Sequence, residues 1–309
     1  MGKTAWKRAG VSLVAVAVVA GVAGCQDGDG GRKAADAPAK PQLQTHEAVT
    51  KVIQAAYEKT SAAKSAKLKM TMTMPAGLGD GGTVEITGVQ SWNPGAMDIT
   101  MDGSVLKAGA PDAPEQMRMI MLDNVMYVDM GTERAAGMDG KRWMKLDMSA
   151  AAKSGDEELQ KSMSNSFGQM NQDPAQQLAL LLESPNLKHV GPEKINGVET
   201  QRYKGTLSVE QMLDANKAKS AVLSEKERKE LLAKVEKVGL KGYDTEVWVD
   251  ADGYPSRMAV GMTMGMGTVQ LRVDYTDYSA KVAVQAPPAK DTFDLAEMLK
   301  GIGGGAGQA

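Results

Sequence analysis

Cysteine occurs once in the chain, at Cys25, so no intramolecular disulfide can form. Histidine occurs twice, and His46 and His189 lie far apart, outside any metal-ligand spacing such as HExxH. Both read as solvated or structural side chains. The GxSxG pattern is absent, which leaves a nucleophile elbow without support. No other acid–base constellation stands out, so the chain reads as a non-enzyme with no metal and no cofactor. An excess of one charge is also missing. The 36 Lys and Arg face 38 Asp and Glu, which makes nucleic acid an unnatural partner. Aromatic residues reach only 4%, with two Phe against 22 Met. That imbalance calls for an explanation.

What is present begins with an export signal. Lys3, Lys7 and Arg8 form a basic start, Val11 to Val22 is almost wholly apolar, and VAGC follows at 22–25. The apolar run is short for a membrane-spanning helix. Its end resembles the bacterial lipobox, in which the cysteine is lipid-modified and becomes the new N-terminus. Cys25 is therefore the expected lipidation site. The expected organisation is a signal peptide over 1–24 and a lipidated Cys with a flexible tether over 25–44. A folded domain over 45–298 and a Gly-rich tail over 299–309 complete it. The tether carries Gly, Ala, Pro, Asp and Lys without periodicity and spans roughly 25 Å as a coil. Such a protein is exported and held at the outer face of the bacterial cell membrane.

Beyond the tether, Thr45 is a candidate N-cap, and Val49, Val52, Ile53, Ala56 and Tyr57 recur at helical spacing, predicting a helix over 46–64. Strands are expected at about 67–74, 83–92, 96–103, 117–122, 125–130 and 142–148. Asp123-Asn124 suits a two-residue hairpin turn. A helix candidate over 156–171 carries Leu159, Met163, Phe167 and Met170. Asp173 and Pro174 open a further helix over 174–183. Two strands at about 187–195 and 198–207 meet at Asn196-Gly197. Capping boxes at Ser208/Gln211 and Ser224/Glu227 start helices, the second with an apolar stripe of Leu231, Leu232, Val235 and Val238. A last meander turns at Asp252-Gly253. Runs of antiparallel strands with separate helices predict an α+β fold, and the hairpins favour one continuous curved sheet. DADG at 250–253 reads as that turn, because its glycine comes too early for a Ca²⁺ loop. GIGGGAG opens no helix and reads as tail.

The methionines follow the strands. In KLKMTMTM, 67–74, apolar Leu68, Met70, Met72 and Met74 alternate with Lys and Thr, the period of a strand with one dry face. The candidate dry-face residues continue through Met97, Ile99, Met101, Met119 and Met121. They end in Val260, Met262, Met264 and Met266. Two readings stay open: an ordinary core, or an adaptable wall around an acyl chain, since Met is unbranched and polarizable. Gly261, Gly265 and Gly267 suit strand bending or loose packing equally.

The layout resembles the actinobacterial LppX/LprG-type lipoproteins, relatives of the LolA/LolB-like half-barrel carriers. The resemblance spans about 45–295. It rests on the lipobox, the tether, the helix near 46, KLKMTMTM, RYKGTLSVEQM (202–212) and EVWVDADGYPSRMAVGM (246–262), with its W-x-D-x-x-G-x-P-x-R. It implies a single strongly curved antiparallel sheet, a half-barrel, with helices covering the concave face. It also implies binding or transfer of lipid or lipoglycan in an apolar cavity between sheet and helices. The implied partners are the membrane through the anchor, an acyl lipid or lipoglycan, and an envelope protein or transporter. It supplies no catalytic residue. Trp248, Asp250, Gly253, Pro255 and Arg257 read as structural: a turn, a rigid exit and an edge charge. The high Met content departs from the family and leaves the ligand's identity open. The alternative is an envelope sensor or interaction module on the same fold, with a filled core and a protein partner. An envelope hydrolase ranks third.

Overall fold

A computed structural model describes residues 44–77, 81–103, 116–147, 173–217, 225–237, 239–280 and 283–295. The signal segment, Cys25, the tether up to residue 43, the helix expected over 156–171 and the C-terminal tail lie outside the described residues. The described residues form one compact unit.

Helix α1 (His46–Ala63) starts where Thr45 Oγ1 accepts the Ala48 N–H at 3.3 Å. It buries Val49, Ile53, Ala56, Thr60 and Ala63, which share one face, and it stops at Lys64 in a left-handed conformation. Six strands follow: β1 (Ser65–Met74), β2 (Gly82–Trp92), β3 (Gly95–Gly103), β4 (Gln116–Leu122), β5 (Val125–Asp129) and β6 (Trp143–Asp147). A one-turn helix, α2 (Gly131–Ala135), precedes β6, at a place where the sequence pattern gives no helical signal. Helix α3 (Pro174–Leu182) is capped by Asp173, whose carboxylate accepts the Ala175 N–H at 2.8 Å.

The second half contains β7 (Lys188–Ile195), β8 (Val198–Leu207), α4 (Val209–Lys217), α5 (Glu225–Lys237), β9 (Tyr243–Asp250), β10 (Pro255–Met264) and β11 (Gly267–Thr276). At the start of α4 the expected capping box is made: Ser208 Oγ accepts the Gln211 N–H, and Gln211 Oε1 accepts the Ser208 N–H. Both two-residue hairpins form as expected. Asp123 and Asn124 have φ of 52° and 62°, and Asn196 and Gly197 have 50° and 88°, the positive pair such turns require.

With β12 (Thr292–Asp294), the described strands join one open sheet in the order β12-β6-β5-β4-β3-β2-β1-β11-β10-β9-β8-β7. Two antiparallel meanders, β1–β6 and β7–β11, are thus stitched together where β1 pairs with β11. The expectation of an α+β fold built on one continuous sheet holds, with one addition. Three-residue β12 (Thr292–Asp294) pairs with β6 in parallel, so the sheet is mostly rather than wholly antiparallel. Helices α1 and α3 pack together on one face of the second meander. Val49, Ile53, Leu178 and Leu181 meet Tyr203, Val247, Val249 and Met258 there.

Candidate functional site

Cross-strand partners in an antiparallel ladder point to the same face, so the register decides which methionines share a wall. From β1, Met70 lies opposite Ile86 and Met72 opposite Leu271. Ile86 lies opposite Met101, Ile99 opposite Met119, and Met97 opposite Met121. In the other direction Leu271 lies opposite Val260, Val269 opposite Met262, and Gly267 opposite Met264. Met258 lies opposite Val247, and Val247 opposite Tyr203, which belong to the core under α1 and α3. The dry face of KLKMTMTM is therefore one continuous apolar face, shared with the helix-covered core.

Burial along this face is uneven. Met97, Ile99, Met119 and Met121 form a second buried cluster, with Ile86, Met101 and Met126 against it. Leu68 is buried as well. Between the two clusters, Met70, Met72 and Met74 on β1 and Val260, Met262 and Met264 on β10 are only half-buried, as is Leu271. Full burial of such a side chain contributes about 1.5–3 kcal/mol. The middle of the face therefore retains part of its hydrophobic driving force unspent in the fold.

Met266 does not belong to this wall. It sits in the β10–β11 turn and is 50% exposed. Period-two counting ran through the turn, where the chain reverses. The glycines of GMTMGMG make no bulge in the paired strands. Gly265 lies in that turn, Gly267 opens β11, and Gly261 keeps regular register between β9 and β11. The register irregularities of the second meander fall instead between Pro255 and Arg257 and between His189 and Gly191.

His189 is structural. Its Nδ1 accepts the Gln44 N–H at 3.4 Å, so Nε2 carries the proton it donates to Gln201 Oε1 at 2.7 Å. Asp250 is a turn organiser: its carboxylate accepts the Tyr254 N–H at 2.9 Å and the Ser256 hydroxyl at 3.3 Å. Among the described residues no three His, Cys, Asp or Glu gather as metal ligands. No helix among them is long and apolar enough to cross a membrane.

The opposite face carries a feature that the pattern of residues did not reveal. Arg257 is no edge charge, because β10 lies between β9 and β11. Its guanidinium makes a two-pronged pair with Asp274, at 2.5 and 2.7 Å. Arg202 meets Glu246 at 2.6 Å and Glu193 at 3.3 Å. Trp248 lies between the two arginines, its ring centre 5.1 Å from the Arg202 guanidinium carbon and 5.9 Å from that of Arg257. Burial alone would raise the Asp274 carboxyl, but hydrogen bonds from Arg257 and Asn196 outweigh it and hold the group below the usual carboxylate range. The alternating Lys67, Lys69, Thr71 and Thr73 signal only a wet face. The signal that could have located the arginines was strand order, which spacing does not contain.

No family model matches the chain. It is 28% identical over 256 residues to an uncharacterised 31.2 kDa protein of Streptomyces griseus from the rplA-rplJ intergenic region, covering 79% of this chain and 78% of that one. It is 26% identical over 259 residues to a Streptomyces coelicolor protein named as a candidate lipoprotein, covering 79% of this chain and 74% of that one. Among solved structures, Mycobacterium tuberculosis lipoprotein LppX is similar at a TM-score of 0.44 and 14% identity, over 78% of this chain and 100% of that one.

Proposed function

We propose that this protein is a lipidated envelope protein, anchored through Cys25 at the outer face of the bacterial membrane, whose apolar sheet face holds the acyl part of a lipid or lipoglycan. The observation that carries the reading is the half-buried middle of the face: Met70, Met72 and Met74 beside Leu271, Val260, Met262 and Met264. Methionine suits this task. Its unbranched thioether adapts to differing chain shapes, whereas Phe or Trp would fill the space rigidly. Area burial supplies the affinity, and the protein does no chemistry on its cargo. The name of the Streptomyces coelicolor relative supports the lipoprotein part of this reading.

The test uses the chain from Pro41 onward, without Cys25, and a fluorescent fatty-acid probe. Saturable probe binding is expected, and Met72→Asp should weaken it. No binding by the intact domain would favour a sensor or interaction module with a protein partner.

A further inference from the structure

We propose that the β10–β11 turn, with the segments packed beside it, is a docking tip for an anionic phospholipid bilayer. The open end of the apolar face then stands on the membrane. The inference rests on the anchored reading of Cys25.

The two ends of the sheet differ in chemistry. The turns at Asn93-Pro94, Asp123-Asn124, Asn196-Gly197 and Asp252-Gly253 close one end. Each carries Asn or Asp, residues that turns favour. At the other end β10 passes into β11 through Gly265 and Met266. Methionine has no part in turn chemistry, yet Met266 holds this place and is 50% exposed. An added Cβ on Gly77 would lie 2.9 Å from the Met266 Cβ, so exposed Ala76 and Gly77 border it. No charged residue occurs in 75–77 or 261–269.

A basic segment runs beside this uncharged tip. An added Cβ on Gly239, just beyond α5, would lie 2.8 Å from the Gly265 nitrogen. The Lys241 N–H donates to the Thr263 carbonyl oxygen at 3.1 Å. Segment 234–243 holds exposed Lys234, Lys237 and Lys241 against a single acid, Glu236. An apolar point with lysines around it suits a bilayer interface. The thioether enters the headgroup boundary, and the ammonium groups meet the lipid phosphates.

Size and reach select the occupant. A protein partner needs about 800 Å² on each side. The uncharged tip offers one methionine among small residues, and a bilayer needs no matching pocket. Met258 is level with Val247 and Tyr203 across the sheet. There the Tyr203 hydroxyl donates to Gln44 Oε1 at 3.5 Å, where the tether joins the domain. From that level to Gly265 the chain advances about 24 Å at strand rise. Residues 26–44 reach roughly 25 Å as a coil. Local concentration peaks when a linker's reach matches the span it must cover. Half-buried Met74 and Met264 end the acyl wall beside the tip, so a chain entering from the bilayer meets apolar surface throughout.

The test uses the mature chain, lipidated at Cys25, in phosphatidylcholine vesicles with and without phosphatidylglycerol. A nitrobenzoxadiazole dye is attached through Ala76→Cys beside the tip, or through Asn124→Cys at the opposite end. A nitroxide lipid at headgroup depth quenches the dye that reaches the interface. Quenching is expected at 76 and not at 124, and phosphatidylglycerol should strengthen it. Met266→Glu should reduce it. Lys237→Glu with Lys241→Glu should weaken docking on anionic vesicles about fivefold or more for each lysine. Quenching at neither position, or equally at both, overturns the proposal, as does quenching at 76 that ignores all three substitutions. A chain that does not float with the vesicles overturns the anchor reading and the docking with it. Absence of fatty-acid probe binding strikes the acyl reading alone, because the quenching pattern does not depend on it.

Discussion

Arg257 and Asp274 are 17% and 16% exposed, so their pairing is shielded from solvent more than a surface ion pair is. Asp274→Ala leaves a largely buried guanidinium beside Trp248 without its partner and should cost about 3–5 kcal/mol in urea unfolding. A double change to Arg257→Met and Asp274→Leu should recover much of that loss. A single-variant cost near zero would show that water already screens the pair. Asp129, held by Arg142 at 2.6 Å and by the Gly131 N–H, is likewise kept below the usual carboxylate range despite its burial. Carboxyls lowered in the folded state stabilise it above the unfolded value, near pH 4, and lose that contribution as pH falls through the folded value. Stability should therefore drop on acidification below about pH 4, and Asp274→Asn should flatten the drop. An unchanged slope in that variant would remove Asp274 from the account. On the apolar face, position separates two kinds of methionine. Met119, in the buried cluster, should cost about 2–5 kcal/mol on change to Ala. Met72→Asp should cost far less stability and instead lower uptake of the fatty-acid probe.

The β9–β10 hairpin shows how much an element can disclose before its neighbours are known. Its turn, its strand lengths and the role of Asp250 follow from local chemistry: an acceptor carboxylate at the start, Gly253 with φ of 82°, and Pro255 beyond. Asp250→Ala should lower stability by about 1.5–3 kcal/mol, the scale of hydrogen bonds to a charged group. Added Ca²⁺ should leave the melting temperature of the intact protein unchanged, and a rise would restore the metal reading. The hairpins at Asp123-Asn124 and Asn196-Gly197 and the starts of α1, α3 and α4 were legible for the same reason, since capping and positive φ depend on a few adjacent residues, whereas the cap expected at Ser224 lies outside the described residues. Partner choice between strands was not. The β1–β11 pairing joins Lys67 to Thr276, and no local pattern encodes so distant a closure. For that reason Arg257 looked like an edge residue and β12 went unnoticed. The Met face was half legible. Alternation identified the dry side of each strand correctly, but it ran on into the turn at Met266 and could not say that the strands share one wall.

At the scale of the whole molecule, two meanders meet at β1 and β11, and this junction places the half-buried methionines between two finished cores. The core under α1 and α3 anchors one side, so Ile53→Ala should destabilise the domain by about 2–5 kcal/mol without a direct effect on the middle of the face. Cys25→Ser should move the protein from the membrane fraction to the soluble fraction; continued membrane retention would contradict the lipid anchor. The central claim is that the apolar face holds an acyl chain. Its most direct test is native mass spectrometry of the domain from Pro41, gently purified from a membrane-containing host. Added mass matching a bound lipid, reduced in Met72→Asp, is the predicted result. A bare protein mass in repeated preparations would contradict it.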